Sequence, residues 1–349
     1  MGDGPVMRRR LSALALSALV AAPLALTACS SDEPLPPNQP PPGRLAPVES
    51  DYSLATTPVY YNNLQKALEQ YQTAYGNYTT ETALNAVKHL QEQPVAEWVV
   101  GDGDDDSVTR ALDAADGAVP VIVLYHIPDR DLEQFSAGGA GTAVEYQKWA
   151  RGISERIGTR DAVVVVEPDA LAHIPDMTTT EEASERVRLL AGTLKLFAEN
   201  NPNTAVYLDA GNSGWRSARQ TASLLTRVEK VGTEIPGIAL NISNFRTTEE
   251  TREYSEAISK EFGRPLYTLM DVSRNGAPTP DRQWCNPAWA RIGATTDTVF
   301  DPQELFEEVF IKRPAESDGV CGASKQKAGH FDNNLMWLQL DQMDIAEKP

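Results

Sequence analysis

Val163-Val164-Val165-Val166-Glu167-Pro168-Asp169 is the stretch on which the fold turns. Four consecutive valines offer no polar face, so they read as a strand buried on both sides, as in a parallel α/β sheet. Pro168 lacks the N–H that a ladder needs, so the strand ends there. Asp169 then stands just past the C-terminal edge of a buried strand. Ligands and catalytic side chains gather at that edge in parallel α/β folds. A blander role is also open to Asp169, that of capping the next segment.

Other apolar segments end in the same way. Residues 121–125 run into His126-Ile127-Pro128-Asp129-Arg130-Asp131, and residues 205–208 into Asp209-Ala210-Gly211-Asn212. Residues 266–270 run into Asp271-Val272-Ser273-Arg274, and Ile311 leads through Lys312 to Glu316-Ser317-Asp318-Gly319. One capping aspartate is ordinary. Aspartates after five successive strands imply a carboxylate-lined cleft on one face of a barrel or sheet.

Helices are expected over 62–75, 80–93, 144–157, 218–231, 249–262 and 333–343, with a short one over 302–310. Thr179-x-x-Glu182 is a capping box that opens a long helix to about residue 200. Residues 97–100 form a short strand containing Trp98. The acidic cluster 102–106 resembles a calcium loop but lacks the glycine and glutamate placement of an EF-hand, so it reads as a solvated helix start. Strands alternating with helices at this rhythm imply a parallel sheet, open or closed.

The chain has 349 residues, 41% of them hydrophobic, enough for one large α/β domain. Its formal net charge of -18 argues against nucleic acid and anionic membrane surfaces as partners. Six tryptophans fit sugar stacking and ordinary core packing equally well. At the N-terminus, Arg8-Arg9-Arg10 precedes an apolar run from Leu11 to Leu26, followed by Leu26-Thr27-Ala28-Cys29. This reads as a signal peptide, residues 1–28, with a lipoprotein-type cleavage site that makes Cys29 the lipidated first residue. The run is short for a transmembrane helix. The Arg8-Arg9 pair is a weak twin-arginine pattern, and Met7 is an alternative start. Residues 29–48 then form a proline-rich tether, and the folded domain spans 49–349. With Cys29 used for lipid, Cys285 and Cys321 remain as an even pair in an oxidising compartment.

Taken together, the loops resemble glycoside hydrolase family 6, cellulases with a distorted seven- to eight-stranded parallel β/α barrel. The resemblance rests on Tyr125-His126-Ile127-Pro128-Asp129-Arg130-Asp131, Val166-Glu167-Pro168-Asp169-Ala170-Leu171-Ala172, Tyr207-Leu208-Asp209-Ala210-Gly211 and Asn241-Ile242-Ser243-Asn244-Phe245. It continues through Asp271-Val272-Ser273-Arg274-Asn275-Gly276, Trp284-Cys285-Asn286, and Lys312 with Glu316-Ser317-Asp318-Gly319. It implies roles. Asp169 matches the general acid, Asp131 the carboxylate that holds the acid's proton and helps relay that of the attacking water, and Asp318 the usual candidate for the base. Ser136 matches the serine that positions the water, and Tyr125 the tyrosine pressing on the sugar at the cleavage point. Trp98, Trp215 and Trp284 match sugar-stacking positions, and Lys312 and Glu316 match binders of substrate hydroxyls. The resemblance keeps the Cys285–Cys321 disulfide and implies no metal or other cofactor.

The chemistry suits these residue types. An acetal needs an acid at the leaving oxygen and a water on the opposite face, with room between two carboxyls for that water. An acid that works near neutrality needs a raised pKa, which a neighbouring carboxylate supplies. Plainer roles stay open for several of them. Asp131 can pair with Arg130 or Arg151, the tryptophans can pack in a core, and Lys312 and Glu316 can be surface charges. Asp209 and Asp271 can be structural, and Arg274 can hold a loop. His89, His173 and His330 show no metal-ligand spacing.

The chain also departs from the family. Leu132 stands where the family usually has a disulfide-bonded cysteine, and Asn212 replaces the usual histidine beside the leaving-group sugar. The expectation is an extracytoplasmic, lipid-anchored, monomeric endo-β-1,4-glucanase that inverts the anomeric centre of a β-glucan. The interval from Asp271 to Asp318 leaves little length for a roof over the cleft, which favours internal cutting. The rivals are a chain-end cellobiohydrolase of the same family and a non-catalytic lipoprotein that binds wall glycan.

Overall fold

Seven parallel strands follow one another through the sheet in chain order. They are β1 (Glu97–Val99), β2 (Val121–Leu124), β3 (Ala162–Val166), β4 (Thr204–Asp209), β5 (Gly237–Leu240), β6 (Tyr267–Asp271) and β7 (Phe306–Val309). The computed structural model describes residues 52–53, 88, 90, 93–101, 105–115, 117–280, 283–293, 299–300 and 305–340. A parallel bridge joins Val95 to Phe310, and Trp98 Nε1 donates to the Ile311 carbonyl at 2.8 Å. The first and last strands thus meet along a seam, and the sheet curls into a distorted barrel. Tyr52–Ser53 pairs separately with Val299–Phe300 as a short antiparallel ribbon.

The four valines are buried on both faces for a simple geometric reason. Val163 and Val165 point into the barrel, beside Val121, Val123, Tyr207 and Leu269. Val164 and Val166 point outward, under Ile153, Leu190 and Leu194 of the helical layer. Side chains alternate across a strand, so a strand with apolar neighbours on both sides must be apolar throughout.

The helices follow their caps. Thr142 caps α2 (Ala143–Ile157), and the Thr179/Glu182 capping box is formed at the start of α3 (Thr180–Asn200). α1 is Asp105–Ala114, so the last two residues of the acidic cluster are helical, and the rest of the cluster lies outside the described residues. A second capping box, Ser217/Gln220, opens α4 (Ala218–Val231). Thr247 caps α5 (Thr248–Phe262), which ends at Gly263 with φ 92°. α6 spans Asn333–Leu340.

Two expectations need amending. Residues 302–310 are not a helix where they are described: Phe306–Val309 is strand β7, paired with β6 through Thr268↔Phe306 to Asp271↔Val309. Apolar residues separated by glutamates look helical locally, but the vacant edge of β6 and the seam to Val95 decide otherwise. β5 was not anticipated from its pattern. It is four residues long and opens on Gly237, where a Cβ would stand 2.8 Å from Cδ1 of the inward-facing Tyr207. The expected signal peptide, Cys29, the tether and the 62–75 helix lie outside the described residues. So does most of the 80–93 helix, of which residues 88 and 90 are helical.

Candidate active site

The cleft forms where the strands end. All nine non-glycine residues with positive φ among the described residues lie on loops beyond C-terminal strand ends, and Asp129, Asp131, Leu132, Glu167 and Asp169 are five of them. Such backbone is costly for an L-residue and persists where the surroundings impose it, often at functional sites.

Glu167 imposes much of it. It is fully buried, and its two oxygens accept the N–H of His126 (3.1 and 3.0 Å) and of Ile127 (3.0 Å). It therefore ties the loop after β2, which carries Asp131, to the loop after β3, which carries Asp169. Burial pushes its carboxyl up to about 7, against the pull of those N–H groups. Sequence reasoning quoted Glu167 within a motif but gave it no role.

Asp209 supports Asp169 from the next strand. Its Oδ2 accepts the Asp169 N–H at 2.8 Å and the Gly211 N–H at 3.2 Å. Asp271 is a knot of backbone donors: Ser243 (2.8 Å), Ser273 (2.9 Å), Ile311 (3.2 Å) and Lys312 (3.0 Å). It binds the ends of β5, β6 and β7 together and is fully buried, which is the structural role left open for it.

A cleft of about 570 Å³ brings together Trp98, Tyr125, Asp131, Ser136, Asp169, Asn212, Trp215, Trp284, Lys312 and Asp318. Asp209 sits beneath it, behind Asp169. Glu316 is not among its lining residues; it pairs with Arg313 at 3.2 Å, and Arg313 also holds Glu97 at 2.7 Å. His173, Asp176, Ser243, Asn244 and Arg246 also line the cleft. Of these, His173 shows no metal-ligand spacing in the sequence, yet it reaches the cleft. Its ring meets Trp215 edge-on at 4.7 Å, and burial followed by the charge of Arg186 lowers its pKa to about 4. It is a neutral wedge that sets the angle of Trp215. Its place four residues after Asp169 was the available signal.

Among the carboxyls that line the cleft, Asp169 is pushed up furthest. Burial, then the charge of Asp131, then that of Asp318, raise its pKa to about 7, with Lys312 opposing. A carboxyl with that pKa is substantially protonated near neutrality. Asp131 accepts the Ser136 N–H at 2.7 Å, and burial raises its carboxyl too. Arg130 instead donates to the carbonyls of Tyr125, Val100 and Ser136, and its guanidinium lies 4.8 Å from the Tyr125 ring centre. Asp318 is clamped: fully buried Arg274 donates to both its oxygens at 2.9 Å, Asn286 N–H at 3.0 Å, and Lys312 Nζ lies 3.8 Å away. Arg274 thus holds the Asp318 loop.

Aromatic rings line the walls. Trp98 meets Tyr125 edge-on at 5.5 Å, and Trp284 is half-exposed. Cys285 and Cys321 are disulfide-bonded, with Cα atoms 6.0 Å apart, and they hold Trp284 beside the Asp318 loop. Among the described residues no cluster of His, Cys, Asp or Glu could hold a metal ion.

Comparison with known proteins agrees with this architecture. The family model described as glycosyl hydrolases family 6 matches residues 50–335. Endoglucanase 1 of Streptomyces halstedii is 37% identical over 261 residues, covering 71% of this chain and 78% of that protein. The structure of the endoglucanase Cel6 from Mycobacterium tuberculosis, solved in complex with methyl-cellobiosyl-4-deoxy-4-thio-β-D-cellobioside, is 32% identical with a TM-score of 0.70. That match covers 83% of this chain and 96% of that one. Endoglucanase CEL6B from Humicola insolens, at 21% identity, shares the fold with a TM-score of 0.74, over 84% of this chain and 98% of its own. A family match over this span, on a fold common to these relatives, means that the chain belongs to glycosyl hydrolases family 6.

Proposed function

We propose that the chain hydrolyses internal β-1,4-glucosidic bonds of cellulose or related β-glucans with inversion of anomeric configuration. One observation carries this reading. A carboxyl raised to about 7, Asp169, shares one cleft with Asp131, Asp318 and three tryptophans. Binding alone would need no acid, so the non-catalytic alternative has no use for this arrangement. Relatives named as endoglucanases support internal cutting.

The residues divide the chemistry. Trp98, Trp215 and Trp284 present ring faces to successive sugars, and Tyr125 sits at the cleavage point. Asp169, protonated, gives its proton to the leaving glycosidic oxygen. Water enters from the opposite face of the ring at the Ser136 loop. Its proton leaves towards Asp318, directly or through further waters beside Asp131. Asp209 is a positioning residue: it fixes the backbone from which Asp169 acts. Asn212 and Lys312 supply polar contacts to hydroxyls. Glu316, held by Arg313, is a further contact to substrate hydroxyls.

Export through residues 1–28, lipid attachment at Cys29 and action as a monomer belong to the same reading. Incubation with a soluble β-glucan tests the function. Rapid viscosity loss, a spread of product lengths and α-configured new ends are expected. Release of disaccharide alone would favour the chain-end rival, and no hydrolysis at all would overturn the reading.

A further inference from the structure

The loop after β2 carries Asp131, Ser136 and, between them, Phe135. The base of this loop is pinned. Arg130 and Gly138 form an antiparallel bridge, and a Cβ on Gly139 would stand 1.9 Å from the Ile127 carbonyl oxygen. The start of its tip is unfavourable backbone, with φ 60° at Asp131 and 40° at Leu132. No cysteine stands in the loop, so its tip has its own hydrogen bonds, among them Gln134 N–H to the Asp131 carbonyl at 2.9 Å, and side-chain packing to hold it, without a covalent tie.

Phe135 carries that packing across to the opposite wall. Its ring covers Gly319, the residue after Asp318; a Cβ there would come within 2.5 Å of the ring's Cγ. The same ring meets Trp284 with centroids 6.1 Å apart and planes at 53°. Trp284 precedes Cys285 and Gly319 stands two residues before Cys321, so the Cys285–Cys321 cross-link ties the two parts of this wall together. Phe135 is 50% exposed, which is not core packing, and it is not among the residues lining the cleft, whereas Trp284 is.

We infer that Phe135 is a positioning residue, latching the Asp131–Ser136 loop onto the Gly319–Trp284 wall. The Ser136 N–H holds the Asp131 carboxylate at 2.7 Å, so the loop tip, the carboxylate and the serine move as one unit. With the latch closed, both groups face the acid across the cleft. With it open, the strained tip relaxes away and the site loses its water-holding side. The effect on turnover rests on the function proposed above; the latch itself does not.

The test compares Phe135→Ala and Phe135→Tyr with the parent enzyme on cello-oligosaccharides of four and six units. One aromatic contact holds a population difference of about three- to tenfold, so kcat of the alanine variant should fall by that factor on both substrates. KM should stay within about twofold and the thermal midpoint within about 2 °C, as for a surface substitution. The tyrosine variant should recover most of the loss. Hydrogen exchange in the unliganded protein should quicken at Gln134, Ser136 and Ala137 in the alanine variant. Unchanged exchange would overturn the latch whatever the activity. A KM rise confined to the six-unit substrate, at constant kcat, would overturn it in favour of a sugar platform. If the parent cleaves no glucan yet exchange still quickens, the function fails and the latch stands.

Discussion

Replacing Asp131 with asparagine separates charge from geometry in this cleft. The side chain keeps an oxygen for the Ser136 N–H, now held at 2.7 Å, so the loop retains its shape. What disappears is the second-largest cause of the raised Asp169 pKa; burial, the largest, remains. Removing one like charge from a partly desolvated site lowers a carboxyl pKa by about one unit. Asp169 must be protonated to act, so activity falls as pH rises through its pKa. Less negative charge nearby makes ionisation easier, and the alkaline limb of the pH–rate profile moves to lower pH. From about 7 to about 6, the protonated fraction at pH 7 drops from about half to about a tenth, roughly a fivefold loss from protonation alone. Any part Asp131 plays in moving the water's proton lowers the plateau further without moving the limb. The assay is kcat/KM on a soluble, unactivated β-glucan from pH 4 to 9, with a substrate whose leaving group needs no proton as control. The control should lack the alkaline limb in both proteins. A limb that stays in place, or moves to higher pH, refutes the coupling between the two aspartates.

Asp169→Asn should lose about 10²- to 10⁴-fold on unactivated glucan and far less on the activated substrate; equal losses would remove Asp169 from the acid role. The folded-state pKa of Asp169 lies above its unfolded value, so its contribution to stability is present at low pH and is lost as pH rises from about 4 to about 7. The same variant should therefore melt higher than the parent at pH 8 and alike at pH 4, as scanning calorimetry would show. Cys285→Ser opens a cross-link between residues 36 apart and should cost roughly 3–4 kcal/mol in denaturant unfolding; a change under about 1 kcal/mol would mean that the bond constrains little. Cys29→Ser should move the protein from the membrane fraction to the soluble one with specific activity unchanged; retention in the membrane would refute lipid anchoring.

The strand ends were legible because burial on both faces leaves a local mark. Val163 to Val166 cannot be amphipathic if sheet neighbours, barrel interior and helices all surround them, and Pro168 marks where that environment stops. Thr179 with Glu182 was legible for the same reason, since a cap is satisfied within its own turn. The motif aspartates carried the family and pointed to one end of the barrel. By itself the sequence thus determined the fold class, the face that bears the cleft and the residue types gathered there. Tertiary structure decided what depends on partners distant in the chain. Phe306–Val309 became a strand because β6 offered an unpaired edge. Arg274 and Asp318, 44 residues apart, became a clamp because β6 and β7 are neighbours. Glu316 turned to Arg313, and His173 turned to Trp215. The raised pKa of Asp169 belongs to the same class. Desolvation and like-charge repulsion depend on which atoms surround a carboxyl, and only the curled sheet brings Asp131 and Asp318 to it.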